Sequence, residues 1–434
     1  MKFIHLLSAL CFLSLGLLAE ASPKIESWTD PSGTKVFLVE NHGLPILDIQ
    51  FSFAAGTSYS QKGKEGVASL TQSLLTMGAE DLDETQIANR LADLGAILSG
   101  GVDRDRATLR LRTLSEKEKR DPALELMRKV LTTPQFPSSV FEREKSRTIA
   151  TLREAKTRPG PIASKAFWAT MYPDHAYGRH ATPESVASLS RADLVNFYKD
   201  YYSAKRASVA IVGNISRDEA KIVVSRILSG LPEGIGTEHE ALAQLPEASL
   251  QRIPHPAAQA HVLIGLPALK RGDPDFFPLV VGNYTLGGGG FVSRLMSEVR
   301  DRHGFAYSVY STFIPLKEMG PFQIGLQTKR SQVDDALRLT MEILNKFLTK
   351  GPTESELEAA KQNLAGSFPL RLDSNEKILN NVAIIGFYGL PLDYLEQYTA
   401  NIKKVTAKEV MDAFARRVKP EHLVTVIVGS EEQE

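Results

Sequence analysis

Two periodicities alternate along the chain. Lys35-Val-Phe-Leu-Val-Glu40 is a short apolar run, and Ile46–Phe53 places Leu47, Ile49, Phe51 and Phe53 at every second position. Ala107–Thr113 alternates apolar and polar residues strictly, so all three stretches are predicted strands. Residues 66–77 instead carry apolar residues at helical spacing. Ser190-Arg-Ala-Asp193 is a capping-box start that opens a helix with Leu194, Phe197 and Tyr198 on one face, and Val209–Gly213 follows as an apolar strand. The same succession returns at the end of the chain: Thr406-Ala-Lys-Glu409, a helix face with Val410 and Phe414, and the strand Val424–Gly429. Ser190 and Thr406 are 216 residues apart, as are Gly213 and Gly429, and the helical stretches Phe141–Lys145 and Leu357–Lys361 keep that offset. Shared spacing over this length marks an internal duplication.

The stretch 231–259 is rich in Gly, Pro and Glu and has weak periodicity, so it reads as a linker between an N-terminal domain, 22–230, and a C-terminal domain, 260–434. Strands in hairpin-like pairs separated by amphipathic helices predict an α+β fold. It would consist of two homologous domains, each an antiparallel-rich sheet covered by helices on one face. The first 21 residues stand apart. Met1-Lys2 is positive, Phe3–Leu18 is almost wholly apolar, and Ala19-Glu20-Ala21 has the small residues of a cleavage site. A signal peptide cut after Ala21 is expected, with a retained anchor as the alternative that so short a run disfavours. Cleavage would remove Cys11, the one cysteine, and with it any disulfide, thiolate nucleophile or cysteine metal ligand.

Charge and composition exclude some classes. Lys plus Arg equal Asp plus Glu at 51 each, so no excess of positive charge argues for nucleic acid or an anionic membrane. A hydrophobic content of 43% suits a globular chain, and no second long apolar stretch follows the first.

Two stretches carry a more specific signal. One is Ala54-Ala-Gly-Thr-Ser58 followed by Lys64-Glu-Gly-Val-Ala-Ser-Leu-Thr-Gln-Ser-Leu-Leu75; the other is Leu286-Gly-Gly-Gly-Gly-Phe-Val-Ser-Arg-Leu295, then Glu298-Val-Arg300 and Gly304-Phe-Ala-Tyr-Ser-Val-Tyr310. In the order in which they fall in the two halves, they resemble the pitrilysin (insulinase-like) metallopeptidases, especially the short-subunit branch that includes mitochondrial processing peptidase and bacterial relatives. Active members of that family carry His-x-x-Glu-His on a helix of the first half. Residues at i and i+4 share a helix face, so two imidazoles grip one zinc ion while the Glu activates its water. The resemblance puts Ser69 and Ser73 at the imidazole positions and Gln72 at the base. Thr151 stands at the third ligand, seven residues after the supporting acid Glu144. Neutral hydroxyls and an amide are poor zinc ligands and glutamine is no general base, so no catalytic zinc is expected in this chain.

Other chemistries fare no better. Glu238-His-Glu240 lies in the linker and reads as a solvated charge cluster, and no Gly-x-Ser-x-Gly is present. Ser374-Asn-Glu-Lys377 matches Ser-x-x-Lys, but Ser374 looks like a helix N-cap. Gly287, Gly288, Gly289 and Gly290 lack a phosphate-loop signature and read as a flexible turn facing substrate. Phe167, Trp168, Tyr172 and Tyr177 read as core.

The family resemblance also implies what is kept. An Arg and, seven residues on, a Tyr from the second half reach the active site, one holding substrate and the other donating a hydrogen bond to the developing oxyanion. Arg300 and Tyr307 have that spacing. Taken alone, Arg300 would be an exposed helix residue and Tyr307 a strand residue packing its ring. Arg294 fits either the family's Ser-Arg-Leu element or a helical ion pair with Glu298. A chain that has lost the zinc motif and kept Arg and Tyr resembles the non-catalytic subunit of heterodimeric members. The expectation is a substrate-binding subunit completing the site of a zinc-bearing paralogue, most naturally in a bacterial periplasm. Peptides or unfolded segments would be the substrates. The alternative is a non-enzymatic peptide-binding or assembly protein of the same fold.

Overall fold

The computed structural model describes residues 22–234, 236–238, 241 and 244–430. The expected signal peptide, Cys11 and two members of the linker cluster, His239 and Glu240, lie outside the described residues.

The first half runs β1 (Glu26–Thr29), β2 (Lys35–Glu40), β3 (Ile46–Phe53), α1 (Val67–Leu74), a minimal hairpin of β4 (Gly78–Ala79) and β5 (Leu82–Asp83), α2 (Glu84–Leu94), β6 (Ile97–Val102) and β7 (Ala107–Leu114). It continues α3 (Lys117–Thr132), α4 (Ser138–Ala155), α5 (Pro159–Met171), α6 (Pro183–Ala187), α7 (Arg191–Tyr201), β8 (Ala207–Gly213) and α8 (Arg217–Leu228). The second half runs β9 (Ser249–Pro254), β10 (Gln259–Leu269), α9 (Phe276–Asn283), π-helical segments at Tyr284–Gly288 and Met296–Arg302, β11 (Ser308–Phe313) and β12 (Gly320–Lys329). It closes with α10 (Val333–Lys350), α11 (Glu354–Gly366), α12 (Asn375–Tyr388), α13 (Tyr394–Lys404), α14 (Ala407–Arg417) and β13 (Val424–Ser430).

The two predicted capping boxes form as read. Ser190 and Asp193 bond reciprocally at the start of α7, and Thr406 and Glu409 do so at the start of α14. The strands build a six-stranded sheet in the order β1-β2-β8-β3-β7-β6 and a five-stranded sheet in the order β11-β12-β10-β13-β9. Among the described strands only β2–β8 and β9–β13 are parallel pairs. The strict alternation of β7 is visible in its burial: Ala107, Leu109, Leu111 and Thr113 face the core, while Thr108, Arg110 and Arg112 are half-buried. Those two arginines converge on the fully buried carboxylate of Asp48, at 2.9 to 3.0 Å.

Two expectations need correction. The stretch read as linker contains β9 and the first residue of β10, because Ser249–Pro254 finds backbone partners along β13 that a low-periodicity sequence does not announce. Helices also cover each sheet on both faces. The second covering layer comes from the other half: α5 lies on β10 and β13, and α12 lies on β8, β3 and β2. Each exchanged contact seats an aromatic ring on a glycine. Phe167 of α5 sits where a Cβ on Gly265 would fall 2.9 Å from its ring, and Phe37 of β2 lies 2.5 Å from where one on Gly386 of α12 would stand. Burying a phenyl side chain is worth about 2–3 kcal/mol, so these contacts bind the halves as a core does.

Candidate functional site

Helix α1 presents the degenerate zinc positions. Its apolar residues Val67, Ala68, Leu70 and Leu74 are buried in the first-half core, which turns Ser69 and Ser73, one helical turn apart, to the surface. Gln72 is half-buried and lies along the sheet. Its amide nitrogen approaches the Thr108 carbonyl at 3.4 Å, and a Cβ at Gly100 of β6 would stand 2.0 Å from that nitrogen. Glycine at 100 is therefore what lets Gln72 occupy this position.

Thr151 lies on α4, which packs against α1. It is exposed, and its hydroxyl donates back to the Arg147 carbonyl of its own helix at 3.1 Å. Glu144 is drawn to Arg143 at 2.9 Å and Arg147 at 3.8 Å. Two free hydroxyls, an amide turned to the sheet and a back-bonded threonine do not make a zinc donor set. Among the described residues no group of three His, Cys, Asp or Glu side chains converges to hold a metal ion.

The second-half elements are arranged differently. Arg300 lies in the π-helical segment Met296–Arg302, with its guanidinium 5.0 Å over the ring of Phe291 and 3.4 Å from Asp301. Phe291 is itself 69% exposed. Tyr307 stands immediately before β11, its backbone N–H bonded to the Gln327 carbonyl at 3.0 Å. Its side chain is 58% exposed, and its hydroxyl has no hydrogen-bond partner among the described residues. The ring is thus not packed as an ordinary strand residue. The Arg300 segment packs against β11, whereas α1 packs against α7, β6, β7 and α4. No hydrogen bond, ion pair or ring contact among the described residues joins Arg300 or Tyr307 to Ser69, Gln72, Ser73 or Thr151.

Two further readings are overturned. Arg294 does not pair with Glu298. It forks onto Glu356 of α11 at 2.6 and 2.7 Å and onto the Gly351 carbonyl at 2.9 Å, while Glu298 takes Arg302. The reach of an arginine lets it bridge to a neighbouring helix instead of closing its own turn. The glycine run is not a flexible turn either. A Cβ at Gly287 would meet the Ser311 backbone at 2.5 Å, one at Gly288 the Asn283 amide at 2.5 Å, and one at Gly289 the Tyr284 carbonyl at 2.7 Å. Only Gly290 is open, with φ of 62°. Gly287 permits close packing of the π-helical turn on β11, while Gly288 and Gly289 let the turn fold back on Asn283 and Tyr284.

The Arg294 fork has a consequence for pH. Burial pushes the Glu356 carboxyl up, but bonds from Arg294 and from the Thr353 backbone and hydroxyl outweigh it and hold the pKa at about 2, below the ordinary 4.5. A lowered carboxylate pKa contributes stability that is complete above 4.5 and is lost as pH falls towards about 2. Arg294→Gln should therefore be less stable than wild type near neutrality, with the gap closing between pH 4.5 and 2. Urea titrations at several pH values measure this, and a constant gap contradicts it.

Sequence reasoning missed one constellation. Asp105, in the β6–β7 turn, is fully buried at the junction of the halves and accepts from the Tyr177 hydroxyl, the Tyr388 hydroxyl at 2.8 Å and the Lys317 backbone N–H at 2.8 Å. Next to it the Arg104 guanidinium lies 3.2 Å over the Trp168 ring, and burial lowers its pKa to about 10. The aromatic run read as core is buried, as expected, but Tyr177 also holds this carboxylate. The sequence Asp103-Arg-Asp-Arg106 has the composition of a solvated turn, and no local pattern sets Asp105 apart.

A duplicated α+β chain with exchanged helices is what the metallopeptidase resemblance of its sequence implies. Comparison with known families agrees. Residues 35–183 match the family model described as Insulinase (Peptidase family M16), and residues 188–364 match Peptidase M16 inactive domain. The crystal structure of a peptidase M16 inactive domain from Pseudomonas fluorescens is 35% identical, with a TM-score of 0.90 over 94% of this chain and 99% of that one. A Helicobacter pylori protein described as non-peptidase homolog YmxG is 28% identical over 99% of both chains. The periplasmic protease PqqL of Escherichia coli, 17% identical, shares the fold with a TM-score of 0.81 over 95% of this chain and 46% of its own. The chain belongs to peptidase family M16, the insulinase family. Its side chains at the zinc positions are neutral, and the proteins it is similar to include ones described as an inactive domain and a non-peptidase homolog.

Proposed function

We propose that this protein is the non-catalytic subunit of a heterodimeric peptidase. In this reading Arg300 holds an extended substrate, and the Tyr307 hydroxyl donates to the scissile carbonyl in a site whose metal a zinc-bearing paralogue supplies. The observation that carries the reading is the exposure of Tyr307, with a hydroxyl that bonds no described residue, in a chain whose own zinc positions are neutral. Edge strands support peptide binding. β6 and β11 each end a sheet, and an extended segment can add to either through backbone hydrogen bonds. The expected location is the periplasm, reached through a signal peptide cleaved after Ala21. Among the described residues no helix is long and apolar enough to cross a membrane.

Purified alone, the mature chain should not cleave an unstructured peptide. Co-expressed with a paralogue carrying His-x-x-Glu-His, it should raise cleavage well above that of the paralogue alone, and the gain should disappear with a chelator. Zinc-dependent cleavage by this chain alone overturns the proposal. A second reading is peptide binding without cutting, which the neutral zinc positions and the edge strands β6 and β11 would serve. It predicts saturable peptide binding with no gain in the paralogue's rate.

A further inference from the structure

The face of the first sheet covered by α12 is opposite the one that packs against α1: Val209 and Ile211 of β8 belong to the core containing α1, and Ala210 and Val212 to the core containing α12. At the C-terminal end of α12 that face opens into a cavity of 410 Å³ lined by both halves. Its size is that of a small-molecule site. Lys35, Lys205 and Arg206 come from the first half and Arg271 and Lys317 from the second, while Glu238 is the one acid among the described lining residues.

That acid is spoken for. Glu238 takes Lys317 at 2.7 Å and Arg206 at 3.2 Å, and Arg206 also donates to the Ala54 and Gly236 carbonyls. Arg271 is not satisfied in this way. Its Nε is buried and meets no acceptor among the described residues, and its guanidinium makes no ion pair there, lying instead 5.3 Å over the Tyr388 ring. Burial lowers its pKa, the mark of a cation held out of water. The acid nearest in charge, Asp103, already pairs with Arg106 at 2.9 Å.

A second polar group is left over. Ser208 is 7% exposed and lines the same cavity, and its hydroxyl makes no hydrogen bond to a described residue. It is the ladder partner of Lys35, on the face shared with Phe37 and Ala210. The negative end of α12 and Glu238 together offset only part of five cations.

We propose that this cavity binds a small multivalent oxyanion, a phosphate or pyrophosphate group, free or carried on an ester. Arg271 presents its planar fork to two oxygens, Ser208 donates a third bond, and Lys35 and Lys205 add charge from the rim. Because Arg271 and Ser208 belong to different halves, the ligand ties them together on the face opposite α1.

Calorimetric titration of the mature chain tests this, using inorganic phosphate, pyrophosphate and glycerol phosphate at constant ionic strength. Saturable binding is expected, with pyrophosphate tighter than phosphate. Arg271→Gln should weaken it about tenfold or more, and Lys35→Gln, at an exposed strand end, about two- to fivefold. Equal binding of glycerol phosphate and phosphate identifies an ester-accepting site, and weaker binding of the ester identifies a site for the free anion. Absence of saturable binding at about 10 mM pyrophosphate, beyond any affinity worth the name, overturns the proposal. So does unchanged affinity in Arg271→Gln or, if that variant does not fold, in Lys35→Gln.

Discussion

Tyr307→Phe should lower the turnover of the reconstituted pair about a hundredfold, the usual cost of removing one donor to a developing oxyanion. The substitution deletes one oxygen from a side chain that is 58% exposed and whose hydroxyl bonds nothing described in this chain. Folding and thermal stability should therefore be unchanged, which separates a chemical role from a structural one. KM should move little, because the hydrogen bond strengthens only as charge builds on the carbonyl. Arg300→Ala is the contrasting variant: a residue that holds substrate in ground and transition states alike raises KM more than it lowers kcat. Turnover of Tyr307→Phe within twofold of wild type would remove the hydroxyl from the mechanism.

The largest effect on stability is expected at Asp105. Alanine there leaves the Tyr177 and Tyr388 hydroxyls and the Lys317 N–H without their acceptor in a fully buried site. Donors that lose a charged acceptor cost about 1.5–3 kcal/mol each and do not add fully, so a loss of about 3–5 kcal/mol is expected for Asp105→Ala. Asparagine keeps one acceptor oxygen and should recover part of that loss. Urea midpoints of the three proteins measure the effect, and a loss below about 1 kcal/mol for alanine would show that water replaces the carboxylate at the junction.

The sequence made the repeating parts of the molecule legible and left its junction unread. Capping boxes at Ser190 and Thr406 and the alternation of β7 are local patterns, and local physics decides them. The zinc positions rest on the family resemblance; what local physics adds is that the four-residue spacing of Ser69 and Ser73 puts both on the exposed face of α1. β6 was not recognised because Ser99-Gly-Gly101 lacks the β-branched and aromatic residues of a strand signal, and tertiary pairing with β7 overrides that lack. β9, Asp105 and the Arg294 fork share one cause. Each is defined by a partner far along the chain, and a single sequence records neither the distance nor the direction of such a contact.

The exchanged helices make the duplication irreversible. Losing either copy would strip the surviving sheet of one covering layer and expose the ground beneath α5 or α12 to water. A gene of this kind can change what its surface does far more easily than it can shed a half. Ser69 and Ser73 lie on the exposed face of α1, while their helix is anchored by Leu70 and Leu74 beneath. Chemistry and architecture are therefore inherited on separate terms: a metal site can vanish from such a scaffold without any cost to the scaffold itself.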